Sequence, residues 1–332
     1  MKPRSIIALI VSAVLILGGI ITCVVASSMA KSDGVMLFPE ESPNGDLVYR
    51  MDLKNTTKIT VNSADADISI VGGAERSVIE VVNFNANYYK LSQSNGSLTF
   101  GQVDDFLSMF KFWDNGFSFK GMRYLLRFGD DTAGTKKIII KLSDADDIKL
   151  VNITSDTGDI SVSDCTFAAD YTLRADKGKV ILNNIANSLS FNVSGKNTAF
   201  DVTECKTGIM KVNAATVSAS IKKLTADSFS LGMTDGSLLL DDYSIGELEV
   251  KTEKGNVDLS SYNCNEGSVA SKSGKVELSF DDTSILTATV TTKTGKVSVN
   301  GEFTDSFSVN SVDPKHRISI VTDDGDVYIT HP

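Results

Sequence analysis

The side chains that could do chemistry in this chain are few, and most fall beside recurring glycines. Lys251, Lys254, Lys272, Lys275, Lys293 and Lys296 stand around Gly255, Gly274 and Gly295, in segments that follow one another at intervals of about twenty residues. If those segments stack, the lysines form a basic ladder that could track the repeating phosphates or carboxylates of an anionic wall polymer. Adjacent carboxylates at Asp241-Asp242, Asp281-Asp282 and Asp323-Asp324 could share acid and base roles in glycoside hydrolysis. They fall at the ends of apolar pairs, where solvated charge is expected. Asp156, Asp159, Asp323, Asp324 and Asp326 could offer oxygens to calcium, but the middle turns carry lysine in their place. His316 and His331 are isolated from each other and from any nucleophile, and no phosphate loop or metal-ligand spacing is present. The expectation is a protein without catalytic residues, metal or cofactor. Cys165, Cys205 and Cys264 should be free, buried thiols, because residues two coils apart are too distant for a disulfide.

The elements that would position these groups are short apolar pairs hinged on glycine. Val151-Asn152-Ile153-Thr154-Ser155-Asp156-Thr157-Gly158-Asp159-Ile160-Ser161-Val162 sets the register: an inward pair, a glycine seven residues after its first member, then a second inward pair. Copies begin at Tyr171, Phe229, Leu248, Gly267, Ala288 and Ile318, with degenerate copies at Leu189 and near Ile209. An earlier copy starts at Ile59, with Ala66 at the glycine position. Apolar and polar residues alternate within each pair, so one face points inward and the other to water. No single copy buries its own apolar face. Stacking them at about 4.8 Å does, which predicts an all-β, parallel β-solenoid with coils of about twenty residues. The glycine would serve positive φ or close backbone approach. An antiparallel β-sandwich of hairpins is the alternative, but the residues returning the chain fit one coil better than a meander.

Before the array, Ser5 to Ala26 runs without a charge behind Lys2 and Arg4. As a helix it would cover roughly 33 Å, enough to span a bilayer. Positive charge ahead of the span puts the N-terminus in the cytoplasm and the rest outside. A cleaved signal peptide is the competing reading. Residues 1–30 are thus expected as cytoplasmic tip and transmembrane anchor, 31–55 as a polar linker, and 56–332 as an extracytoplasmic β-repeat domain. Residues 83–135 interrupt the period and concentrate aromatic side chains, including Phe106, Phe110, Phe112, Trp113, Phe117 and Phe119. They would cap the stack or present a partner surface. Within this stretch Asn95-Gly96 predicts a two-residue hairpin. Residues 300–317 read as a peripheral loop. The net charge of −10 excludes nucleic acid as a general partner.

The apolar N-terminal segment, the Ser/Thr-x-x-Gly-Asp/Lys turns and the aromatic insertion resemble a bacterial domain family of unknown function known as putative adhesin, common in Gram-positive bacteria. The resemblance spans roughly Thr56 to His331 and implies an extracytoplasmic β-solenoid, sometimes associated with envelope-stress systems; it supplies no catalytic residues. Taken with the residues, it leads to a membrane-anchored, non-enzymatic binding or envelope-interaction module, whose partner would be an anionic wall polymer, a glycan or an envelope protein. A regulatory or scaffolding subunit of an envelope-stress system, and a glycan-active β-helix enzyme, are the alternatives.

Overall fold

The computed structural model describes residues 40–43, 45–84, 89–102 and 134–331. The proposed membrane span and all six insertion aromatics, Phe106, Phe110, Phe112, Trp113, Phe117 and Phe119, lie outside the described residues. Among the described residues no helix is long and apolar enough to cross a membrane. The described residues are almost wholly β, winding through about a dozen layers that form two walls around one apolar core.

Each coil contributes one strand to each wall. In the first wall, Lys58–Ser63, Leu150–Ser155 and Asp170–Ala175 pair in parallel, and Asp170–Arg174 pairs onward with Ser190–Ser194, within the run Lys179–Thr252 that winds through several coils. In the second, Asp67–Val71, Ile160–Ser163 and the Val180–Asn183 segment of that run do the same. Inward positions are the predicted pairs: Val151, Ile153, Ile160 and Val162 are fully buried, as are Tyr171, Leu173, Val180 and Leu182 one coil on. Two degenerate copies shift register. Tyr171 pairs with Phe191, and Leu189 and Ile209 lie exposed while Phe191, Val193, Met210 and Val212 are buried. Leu189 and Ile209 are apolar but sit one pleat repeat or one residue ahead of the true inward positions, and only the strand partners reveal this.

The sheet is mixed rather than purely parallel, because both ends of the stack reverse. At one end Val78–Val82 runs antiparallel to Lys137–Lys141, and Tyr89–Ser94 forms the Asn95-Gly96 hairpin with Ser97–Gln102. At the other, Glu302–Thr304 pairs antiparallel with Val297–Val299, and Ser306–Val309 with Leu286–Thr292. Each cap is thus a coil retraced backwards. A reversed coil turns its own inward residues onto the last forward coil, covering core that would otherwise face water. Residues 302–309, read as loop from sequence, are this cap.

Chain order and stack order also diverge at both ends. His316–Thr322 pairs with Cys264–Ser271 on one side and Leu286–Thr292 on the other, so the final coil is inserted before the one that precedes it in sequence. Correspondingly, Lys58–Ser63 lies between Ser97–Gln102 and Leu150–Ser155. The expected linker gives way in its second half. Leu47–Asp52 pairs antiparallel with Val78–Val82, and Met51 and Leu53 are buried in the core.

A second corner closes the coils, and in six of them the left-handed residue there is not glycine. Asp164, Asn184, Glu204, Lys223, Asp242 and Ser261 all adopt φ between 52° and 56°. Non-glycine residues in this left-handed region are costly by about 1–2 kcal/mol each. Stacking offsets part of that cost, since Asn184 Nδ2 donates to Asp164 Oδ1 at 2.7 Å and Lys223 Nζ to Glu204 at 2.6 Å.

Candidate functional site

The glycine corner is built by backbone contact between coils. A Cβ at Gly178 would lie 2.7 Å from the Gly158 carbonyl carbon and closer still to its oxygen. Gly158 stands likewise against Ala66, Gly274 against Gly255, Gly325 against Gly274, and Gly295 against Gly325. Positive φ appears in this column only at Gly236 and Gly274. Close approach is therefore the general reason for glycine here.

The Ser/Thr three residues before the glycine closes the turn. Gly158 N donates to Ser155 Oγ at 2.9 Å, Gly255 N to Thr252 Oγ1 at 2.7 Å, and Gly295 N to Thr292 Oγ1 at 3.0 Å. The polar residue after the glycine reaches the next coil. Lys179 N donates to Asp159 Oδ1 at 2.7 Å, Lys275 N to Asn256 Oδ1 at 2.9 Å, and Lys296 N to Asp326 Oδ1 at 2.8 Å. The carboxylates of Asp159 and Asp326, two of the candidate calcium ligands, thus accept from backbone N–H groups of the next coil. No group of three or more His, Cys, Asp or Glu side chains suited to a metal occurs among the described residues.

The lysines do not form an uninterrupted ladder. The coil carrying Gly325 sits between those of Gly274 and Gly295, and it brings Asp323, Asp324 and Asp326 into the column. Lys293 pairs with Asp323 at 2.6 Å and Lys272 with Glu253 at 2.6 Å, while Lys251 pairs with Glu249 and Lys275 with Glu277. Lys275 also lies over the Tyr328 ring at 5.0 Å, and Lys296 over Phe303 at 5.3 Å. Lys254 is exposed at the turn. The surface is one of paired charge. Sequence order concealed this, since the acidic coil is last in the chain but lies between the second and third lysine coils.

Beside this column lies a groove of about 760 Å³ whose floor is small residues, Ala214, Gly232 and Ala270 among them. It runs from Gly195 to Val321, across coils spanning roughly 24 Å at about 4.8 Å per layer. Lys251, Glu253, Lys272 and Asp323 stand on its rim. Gly232 and Ala270 stand at outward positions equivalent to Thr154 and Arg174, and their small size opens the surface on either side of Lys251. Sequence reading passed over these residues because it sought charge and aromaticity, not missing side chains.

Perturbed groups are held far from acid or base function near neutral pH. Burial pushes the thiols of Cys165, Cys205 and Cys264 up to about 12, and all three are free. Bonding to Glu277 and Asp323 raises Lys275 and Lys293, and Lys272 holds Glu253 low. Asp282, of one adjacent pair, is held low by Ser284. His316 Nδ1 lies 2.9 Å from the Cys264 carbonyl, and the His331 ring stacks on Phe280 at 5.4 Å. Both histidines are packed into the end of the stack.

The repeat, its glycine column and the two-walled core coincide with a known family description, Toastrack DUF4097, which matches residues 56–330. The chain belongs to the Toastrack family. Solved structures similar to this Toastrack chain include a putative adhesin from Bacteroides fragilis, 10% identical, covering 89% of this chain and 99% of that one with a TM-score of 0.42. Another from Parabacteroides merdae is 12% identical, covering 86% and 95% with a TM-score of 0.46. A putative lipid binding protein from Parabacteroides distasonis is 12% identical, covering 86% and 96% with a TM-score of 0.38. No curated protein matches the chain significantly.

Proposed function

We propose that this Toastrack chain is a membrane-anchored, extracytoplasmic, non-enzymatic binding module that holds an extended envelope polymer along the groove. The groove carries the proposal: it is shallow and open along its length, and its six coils, roughly 24 Å, suit an extended chain better than a compact molecule. The rim charges are already paired within the protein, so a neutral glycan meets no unbalanced field, whereas a polyanion meets carboxylates beside each lysine. A glycan is therefore favoured over the anionic wall polymer suggested by the lysine spacing. The ionisation states described above support binding over catalysis, since thiols stay protonated, lysines charged and the perturbed carboxylates ionised. The apolar segment 5–26 would anchor the domain, with residues 31–46 leading into it.

Co-sedimentation of the full chain, in detergent, with insoluble neutral wall polysaccharide is the test. Binding should be retained at 1 M salt and lost in Ala270→Trp, which fills the groove floor at an exposed position. Binding that follows polyanion content and disappears with salt would overturn the reading.

A further inference from the structure

We propose that the end of the stack remote from residue 40 is a homophilic docking surface, where the cap strand Ser306–Val309 pairs edge to edge with the same strand of a second copy. This strand is the outermost of the first wall. It pairs on one side with Ala288–Thr291, and its other edge has no strand partner among the described residues. Protein edges are ordinarily blunted by lysine, proline, bulges or covering segments. This one reads Ser-Phe-Ser-Val, without charge or proline. Phe307 and Val309 face inward yet remain only partly buried, as does Val299 on the opposite wall, because no layer lies beyond. Phe303, on the companion cap strand, is 68% exposed.

The long undescribed segments, residues 1–39 and 103–133, join at the other end. Residues 1–39 enter at Glu40, beyond Val78–Val82, and residues 103–133 leave and return beside Ser97–Gln102 and Lys137–Lys141. That end is roughly 50 Å from the cap at about 4.8 Å per layer. A second copy of this chain fits the exposed edge by symmetry. A two-fold axis normal to the wall makes Ser306–Val309 antiparallel to itself and keeps the inward faces on the same side, so Phe307 and Val309 of each copy extend the other's core. No charge falls on the paired residues. Glu302 and Asp305 flank them, so salt should strengthen the association by screening their repulsion.

The same axis inverts the stack and places the two residue-40 ends at opposite extremes. With the membrane orientation of the preceding section, on which this part rests, such pairs would join opposed membranes rather than neighbours in one membrane.

The test is sedimentation velocity and small-angle scattering of the full chain in detergent, across rising concentration and at two salt levels. A reversible dimer should appear, with a maximum dimension near twice that of the monomer's protein part, and more of it at high salt. The double substitution Ser306→Lys/Ser308→Lys, at exposed outward positions, should weaken it by at least about tenfold through opposed like charges. Thermal unfolding of that variant at the wild-type temperature confirms that the stack is intact. A chain that stays monomeric throughout, a compact dimer, or a dimer indifferent to the substitutions overturns the proposal. Polysaccharide binding is read separately on the same samples, so loss of pairing and loss of the groove reading are distinguishable.

Discussion

Gly178→Ala puts one methyl group where two coils already touch. The added Cβ would stand 2.7 Å from the Gly158 carbonyl carbon and 3.3 Å from Asp159 N, with the carbonyl oxygen nearer than either. All of these are backbone atoms of a packed neighbour, so relief requires separating the coils by roughly 1 Å, an overpacking cost of about 1–3 kcal/mol. The bonds that span this seam, Lys177 N to Asp156 O at 3.0 Å and Lys179 N to Asp159 Oδ1 at 2.7 Å, lengthen with it. Each contributes about 1 kcal/mol. The expected loss is therefore about 2–5 kcal/mol, a large share of the roughly 5–15 kcal/mol that stabilises a domain. With a urea dependence of about 3 kcal/mol per M, the unfolding midpoint should fall by about 0.7–1.7 M. Gly73→Ala is the matched control. Gly73 has φ +71° and nothing within 4 Å of an added Cβ, so only the left-handed penalty of about 1–2 kcal/mol applies. Urea unfolding followed by far-ultraviolet circular dichroism reads both. If Gly178→Ala unfolds at the wild-type midpoint, or loses no more than the control, close coil approach is not what selects glycine.

Ser155→Ala should cost about 1–3 kcal/mol in the same assay, because Ser155 is fully buried and its loss leaves Gly158 N without its acceptor. Asp176 is held down to about 2 by bonds from Arg174 and Lys196. Its contribution to stability is therefore complete above the ordinary carboxylate range and is lost as pH falls towards 2. Asp176→Asn should be less stable than wild type at pH 6 and lose that difference by pH 2, measured by thermal unfolding; a gap independent of pH would contradict this. Cys165, Cys205 and Cys264 should resist Ellman's reagent at pH 8 in the folded chain and react on unfolding, since buried thiols raised to about 12 hold almost no thiolate.

Much of the architecture was legible because inward pairs alternate and glycines recur at fixed phase. Ile160 and Val162 announce a half-buried strand without any partner being known. Three features were not legible, for physical reasons. The left-handed corner at Asp164, Asn184, Glu204 and Lys223 carries no glycine, because each residue accepts strain that its stacked neighbours offset. Coil order at the ends depends on pairing between residues distant in sequence, so Ile318 looks like the last coil although Ala288 lies beyond it. The reversed cap at Glu302–Thr304 and Ser306–Val309 breaks the period and so reads as a loop. The site suffered from the second of these: the lysine column seemed continuous only while Asp323 and Asp324 were assumed to lie past its end. The groove was hidden for a simpler reason, since a missing side chain leaves no signal until its neighbours are placed.

Hydroxyl-radical footprinting with neutral wall polysaccharide bound is the most direct measurement of the binding claim. Val321, 49% exposed on the groove wall, should be protected, while Leu189, 52% exposed on the same wall of the stack but outside the groove, should oxidise at its free rate. Equal protection of both residues, or protection of Leu189 alone, would contradict the groove as the binding surface.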